Sequence, residues 1–128
     1  MSVTKPSENL IKITQLATGV ATIKDRIQVG KFRKAFLWAE QSNVTGAPQL
    51  DIKIHNVQPE AATPAAAGEK VQIGSTITIV GANFGTPQQF GENAASPGQF
   101  LANELEIEEI RTVGATVSDY EIWIELRE

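Results

Sequence analysis

Tyr120-Glu121-Ile122-Trp123-Ile124-Glu125-Leu126 alternates strictly, with Tyr120, Ile122, Ile124 and Leu126 on one face and Glu121, Trp123 and Glu125 on the other. Successive side chains of a strand point to opposite sides, so a period of two specifies a half-buried strand. Trp123 lies opposite the aliphatic residues, where a large ring covers a neighbour or an interface. The same period recurs upstream. Residues 71–80 place Val71, Ile73, Ile77 and Ile79 together, with Gly74-Ser75 marking a bulge or bend. Leu105 and Ile107 alternate with Glu104, Glu106 and Glu108, which predicts a strand whose outer face is acidic and solvated. Residues 50–55 give a fourth strand, closed by Pro59, with Asp51, Lys53 and His55 on a polar, solvated side. Gly68, Gly81, Gly85-Thr86-Pro87, Gly91, Ser96-Pro97-Gly98 and Gly114 separate these runs. The chain reads as mainly β.

Two connections stand out. Residues 59–69 hold no large apolar residue and read as an exposed loop. Residues 86–103 are long for a connection in a compact domain and carry Phe90 and Phe100, two rings that need burial or a partner. Before Gly46-Ala47-Pro48, residues 10–16 and 20–29 offer short strands around a turn at Ala17-Thr18-Gly19. Val29, Phe32, Phe36 and Leu37 then fall at helical spacing, beside Lys31, Arg33 and Lys34. That stripe predicts a helix over residues 29–41, and a strand through Phe36 and Trp38 is the competing reading.

From Leu50 onward the sequence resembles the IPT/TIG family of immunoglobulin-like domains. The resemblance rests on three blocks in order. Ile54-His55-Asn56-Val57-Gln58-Pro59 is similar to a strand ending in proline. Gly74 to Gly85 matches a glycine, an alternating strand and then G-x-N-F-G, here Gly81, Asn83, Phe84 and Gly85. Val113 to Ile124 resembles the family's hairpin and final strand. The likeness spans residues 49–128 and departs from the family in the inserts 59–69 and 86–103. It implies an immunoglobulin-like β-sandwich at 49–128, preceded by a separate basic segment or arm at 1–48. In that setting Gly81 and Gly85 suit a turn with positive φ, Asn83 tolerates one, and Phe84 plugs the sandwich end.

Composition narrows function. The 128 residues include no cysteine and one histidine. Disulfides, thiolate nucleophiles, Cys-ligated zinc and iron–sulfur clusters are therefore excluded, and a two-histidine metal site needs a second chain. No nucleophile–base pair, Walker loop or dinucleotide fingerprint is present, so neither enzymatic activity nor a cofactor is expected. Glu104, Glu106, Glu108 and Glu109 read as solvated charges rather than a metal or acid–base site. The N-terminus lacks a signal-peptide core, no run is long enough to span a membrane, and Asn43-Val44-Thr45 is a chance glycosylation pattern. Starting at methionine, the chain reads as a complete small gene product.

The formal net charge of −4 conceals a split. Residues 1–48 carry seven lysines and arginines against three acids, and residues 49–128 carry four against twelve. A basic segment beside an acidic domain suits contact between copies. The resemblance implies binding or assembly rather than catalysis. The leading expectation is a non-enzymatic virion component of a phage or virus, such as a capsid decoration or tail accessory subunit. Its partners would be copies of itself or other virion proteins, and its place the virion, or else the cytoplasm. In the competing structural reading, residues 1–48 pack on their own sandwich as extra strands. The alternative function is a carbohydrate- or receptor-binding module using Phe90, Phe100 and Trp123, since aromatic faces suit sugars and partners. Lys31, Arg33 and Lys34 complete the candidate interface. The acidic balance argues against nucleic acid.

Overall fold

A computed structural model describes residues 2–80, 88–91, 101–112 and 117–128. Among them run the strands β1 (Ser2–Ser7), β2 (Leu10–Thr18), β3 (Ala21–Gln28), β4 (Lys34–Thr45), β5 (Gln49–Val57), β6 (Lys70–Val80), β7 (Gln88–Gly91), β8 (Glu104–Arg111) and β9 (Val117–Arg127). A 3-10 turn, Ala67–Glu69, precedes β6. The strands form a five-stranded sheet in the order β1-β2-β9-β4-β7 and a four-stranded sheet in the order β3-β8-β5-β6. All described pairings are antiparallel. The result is a mainly β, two-sheet antiparallel β-sandwich, as expected. The four strands read from alternation fall within β5, β6, β8 and β9.

The two inner faces meet as alternation dictates. Ile13, Leu37, Ile122, Ile124 and Leu126 from one sheet oppose Leu50, Ile52, Ile54, Leu105 and Ile107 from the other, all essentially without solvent exposure. β9 is central, with Ile122 opposite Ile13 of β2 and Ile124 opposite Leu37 of β4. Residues 1–48 thus supply strands to both sheets, with β3 pairing along β8. Gly46-Ala47-Pro48 carries the chain from β4 in one sheet to β5 in the other.

The helix predicted over residues 29–41 does not form; this stretch is the loop before β4 and then β4 itself. Its helical spacing is the superposition of three origins. Val29 and Phe32 are buried from the preceding loop, Leu37 points inward, and Phe36 points outward. Tertiary pairing of β4 with both β9 and β7 decides its conformation over local spacing.

The bulge expected at Gly74-Ser75 is present. Ile52 pairs with Ile77 and Ile54 with Ile73, so Gly74, Ser75 and Thr76 lie across from Lys53 alone. Gly74 has φ +67, and an added Cβ would meet nothing within 4 Å. Gly74→Ala should therefore cost about 1 kcal/mol from backbone strain alone. Denaturant unfolding measures this, and a variant as stable as the parent would contradict the left-handed turn. Val71, read as inward, is exposed at the strand's entry, whereas Ile73 and Ile79 are buried.

Candidate functional site

Because the inner positions of β2, β4 and β9 are committed to the core, their alternate residues stand on the outer face of the five-stranded sheet. Trp38 lies directly opposite Trp123, and Lys12 faces Trp123 from the other side. A line Lys12–Trp123–Trp38 therefore crosses three strands. Phe36 sits two residues along β4, its ring 6.1 Å from that of Trp38 and tilted by 42°. The Lys12 ammonium lies 5.4 Å from the Trp123 ring centroid and 3.6 Å from Glu121 Oε1. The Arg127 guanidinium lies 6.0 Å from the Phe36 ring.

Leu10, Trp38, Ala39, Glu40, Trp123 and Glu125 line a shallow depression of about 380 Å³ on this face. Both tryptophans are half-buried. Rings of this kind stack on apolar C–H surfaces, while the surrounding carboxylates and Lys12 can exchange hydrogen bonds with hydroxyls.

The outer face of the four-stranded sheet is different. Residues 58–69 fold back over it as a strap. Gln58 N donates to Glu69 O at 2.8 Å, Ala65 N to Glu106 Oε1 at 2.9 Å, and Arg26 Nη2 to Ala62 O. Lys70 Nζ meets Glu106 Oε2 at 2.6 Å. Glu106 is consequently 1% exposed, not solvated as alternation suggested. Burial pushes its carboxyl up, but the Lys70 hydrogen bond and the Ala65 N–H together outweigh this and hold it below the ordinary carboxylate range. His55, also read as solvated, is 8% exposed on the same covered face. Burial, reinforced by the Lys70 charge, lowers its pKa and favours the neutral ring. Glu109 turns inward, into the sandwich itself. Among the described residues no three His, Asp or Glu side chains are arranged to hold a metal ion.

Of the other described candidates, Lys34 shares the outer face of β4 with Phe36 and Trp38, whereas Lys31 and Arg33 precede that strand. Lys31 is exposed, 3.6 Å from Glu8 and 3.5 Å from Glu128. Arg33 Nη1 donates to the carbonyls of Gly30 at 2.6 Å and Phe32 at 2.9 Å. Lys34 is exposed and lies opposite Arg127 across β4 and β9. Phe32, between these cations, is buried and offers no ring for base stacking. The backbone of Phe90 in β7 pairs with Ala35 of β4. Gly81, Asn83, Phe84, Gly85 and Phe100 lie outside the described residues. Of the proposed interface, Trp123 joins the aromatic face, and Lys34 lies on the same side of the sheet. Its partner Trp38 had no signal beyond an outward position on a possible strand, because their pairing joins segments 85 positions apart in the chain.

The charge split is largely met within the chain. Lys12 pairs with Glu121, Lys24 with Glu108 at 3.8 Å, and Arg26 with Glu104 at 2.9 Å. The basic strands of the first segment thus lie against the acidic strands β8 and β9. No helix among the described residues is long and apolar enough to cross a membrane.

No protein-family model matches the chain, and no curated protein sequence does. Among solved structures it is similar to the crystal structure of a non-crystalline cellulose specific carbohydrate-binding module, CBM28. The identity is 13% and the TM-score 0.44, over 97% of this chain and 68% of that one. A likeness at this level carries no argument about a ligand.

Proposed function

We propose that this chain is a non-catalytic binding module that holds an extended carbohydrate against the outer face of its five-stranded sheet. The observation that supports this reading is the cross-strand pair Trp38–Trp123, flanked by Phe36 and rimmed by Lys12, Glu40, Glu121 and Glu125. Neighbouring rings on adjacent strands offer consecutive stacking platforms for the C–H faces of successive sugar units. Rim carboxylates can accept from their hydroxyls. The face is broad and shallow, which suits a chain or a polymer surface better than a small enclosed ligand.

An assembly role in a virion, driven by basic arm against acidic face, has weaker support, because those charges meet within one chain. The IPT/TIG resemblance of residues 49–128 stays part of this proposal, supported by the order of β5, β6, β8 and β9.

Affinity electrophoresis against a panel of soluble polysaccharides, with pull-down on insoluble ones, tests the reading. Trp38→Ala and Trp123→Ala should each weaken binding by about tenfold or more, on the scale of losing one stacked ring. Unchanged thermal unfolding of both variants would assign the loss to the surface. A parent chain that binds no glycan, or a bound glycan indifferent to both substitutions, would sink the proposal.

A further inference from the structure

The interior of the sandwich is not uniformly apolar. Asp25 of β3 and Glu109 of β8 turn inward at one end as diagonal neighbours on paired strands, Asp25 lying opposite Ile107 and Glu109 opposite Ile23. Glu109 and Arg111, also of β8, are each 1% exposed. From the facing sheet, β2 supplies Gln15, β4 supplies Gln41, and β9 supplies Ser118 and Tyr120, all buried. Tyr120 Oη donates to Glu109 Oε1 at 3.4 Å. Arg111 Nη1 donates to Ser118 Oγ at 2.5 Å and to Thr18 O at 3.4 Å. Ser118 Oγ donates to Gln41 Oε1 at 3.1 Å, and Gln41 Nε2 to the Ile79 carbonyl of β6 at 3.5 Å. The Arg111 guanidinium lies 5.3 Å from the Tyr120 ring. Every hydrogen bond named between Arg111 or Glu109 and β9 ties one sheet to the other.

Charge counting decides the state of this cluster. It holds two carboxyls and one guanidinium, and an uncompensated charge in such a site is costly. Neutrality requires one proton on the carboxyl pair. Asp25 Oδ2 and Glu109 Oε2 are buried with no hydrogen-bond partner among the described residues, and a proton shared between the two carboxyls would satisfy groups that otherwise only accept.

We propose that Asp25 and Glu109 hold a single proton between them, and that this proton is a pH-sensitive latch closing the two sheets at this end of the sandwich. Held, it leaves the cluster neutral and Tyr120 bonded across the interior. Lost in alkaline solution, it places a second negative charge between the sheets beside Asp25, and this end loosens.

Glu109 is the holder. Burial first, then the Asp25 charge and hydrogen bond, push its carboxyl up to about 10 from 4.5. Asp25 is also raised by burial, but the hydrogen bond from Glu109 opposes the rise. Burial and the Glu109 charge raise Tyr120 as well, so its hydroxyl stays protonated throughout. The folded state therefore binds a proton that the unfolded chain releases above pH 4.5. Its stabilising contribution is full below that pH and is lost as pH rises toward about 10.

Thermal unfolding of the full chain and of Glu109→Gln from pH 6 to pH 9 provides the test. The amide that replaces the carboxyl is permanently neutral, so the variant should gain on the parent by about 10 °C across that range. A constant gap between the two curves would overturn the latch. Should the variant not fold, carbon-13 side-chain carboxyl shifts of the parent chain decide the matter. A Glu109 carboxyl still protonated at pH 7 is the expected result, and an ionised one overturns the proposal.

Discussion

Glu106→Ala should lower the unfolding free energy by about 3–5 kcal/mol and open residues 58–69 to proteolysis. The magnitude follows from removing one member of a buried ion pair and leaving the other uncompensated. Lys70 would lose its 2.6 Å partner, and the Ala65 N–H would lose its acceptor. Glu106→Gln keeps an acceptor for one of them and should cost less. Chemical denaturation measures the first effect, and limited digestion with mapping of the first cut measures the second. A variant with parental stability and parental digestion would mean that the strap is held elsewhere. The same contact predicts an acid response. The Glu106 carboxyl lies below its unfolded value of 4.5, so its contribution is present above that pH and is lost as pH falls through the folded value.

Arg111→Met should cost about 3 kcal/mol or more at neutral pH, while Asp25→Asn in the same chain should restore much of the loss. Methionine preserves length and apolar contact with Tyr120 but leaves the interior carboxyl pair without its counter-charge. Removing the Asp25 charge re-establishes neutrality. The single variant should also suffer less at about pH 5, where the remaining carboxyl can take up a proton. A double-mutant cycle on unfolding free energies provides the measurement. Strict additivity of the two substitutions would show that Arg111 and Asp25 do not compensate each other.

The two buried glutamates of β8 have opposite signs. Glu106 favours the folded state as pH rises past the carboxylate range, and Glu109 favours it as pH falls. Stability should therefore peak in mildly acidic solution, at about pH 5.

Much of the sandwich is legible in the sequence because the strands from residue 49 onward alternate cleanly and buried aliphatic residues set the period. Residues 29–41 mislead because apolar loop residues preceding a strand mimic a helix stripe. Glu106 and His55 cannot be recognised as buried from alternation. Their outward parity is correct, but a distant strap of small residues covers that face. Glu109 and Arg111 do carry a signal, since they share the parity of Leu105 and Ile107, and a charge on the aliphatic face of a strand marks an interior polar cluster. The Trp38–Trp123 pair is illegible for a different reason: local pattern shows which way a ring points, whereas strand order decides what lies beside it.

The central position of β9 has a consequence for how the molecule acquires its shape. β2 and β4 both pair with β9, and β3 pairs with β8. Strands emerging early in synthesis must therefore wait, with their sheet-forming edges unmatched, until the segment through Arg127 is available. Pairing across such long stretches of chain is slow and exposes strand edges to other molecules in the interval. The lysines and arginine that later meet Glu104, Glu108 and Glu121 would meanwhile give these waiting strands a common positive charge. Mutual repulsion between nascent copies is thus built into the same residues that help to fix the final register.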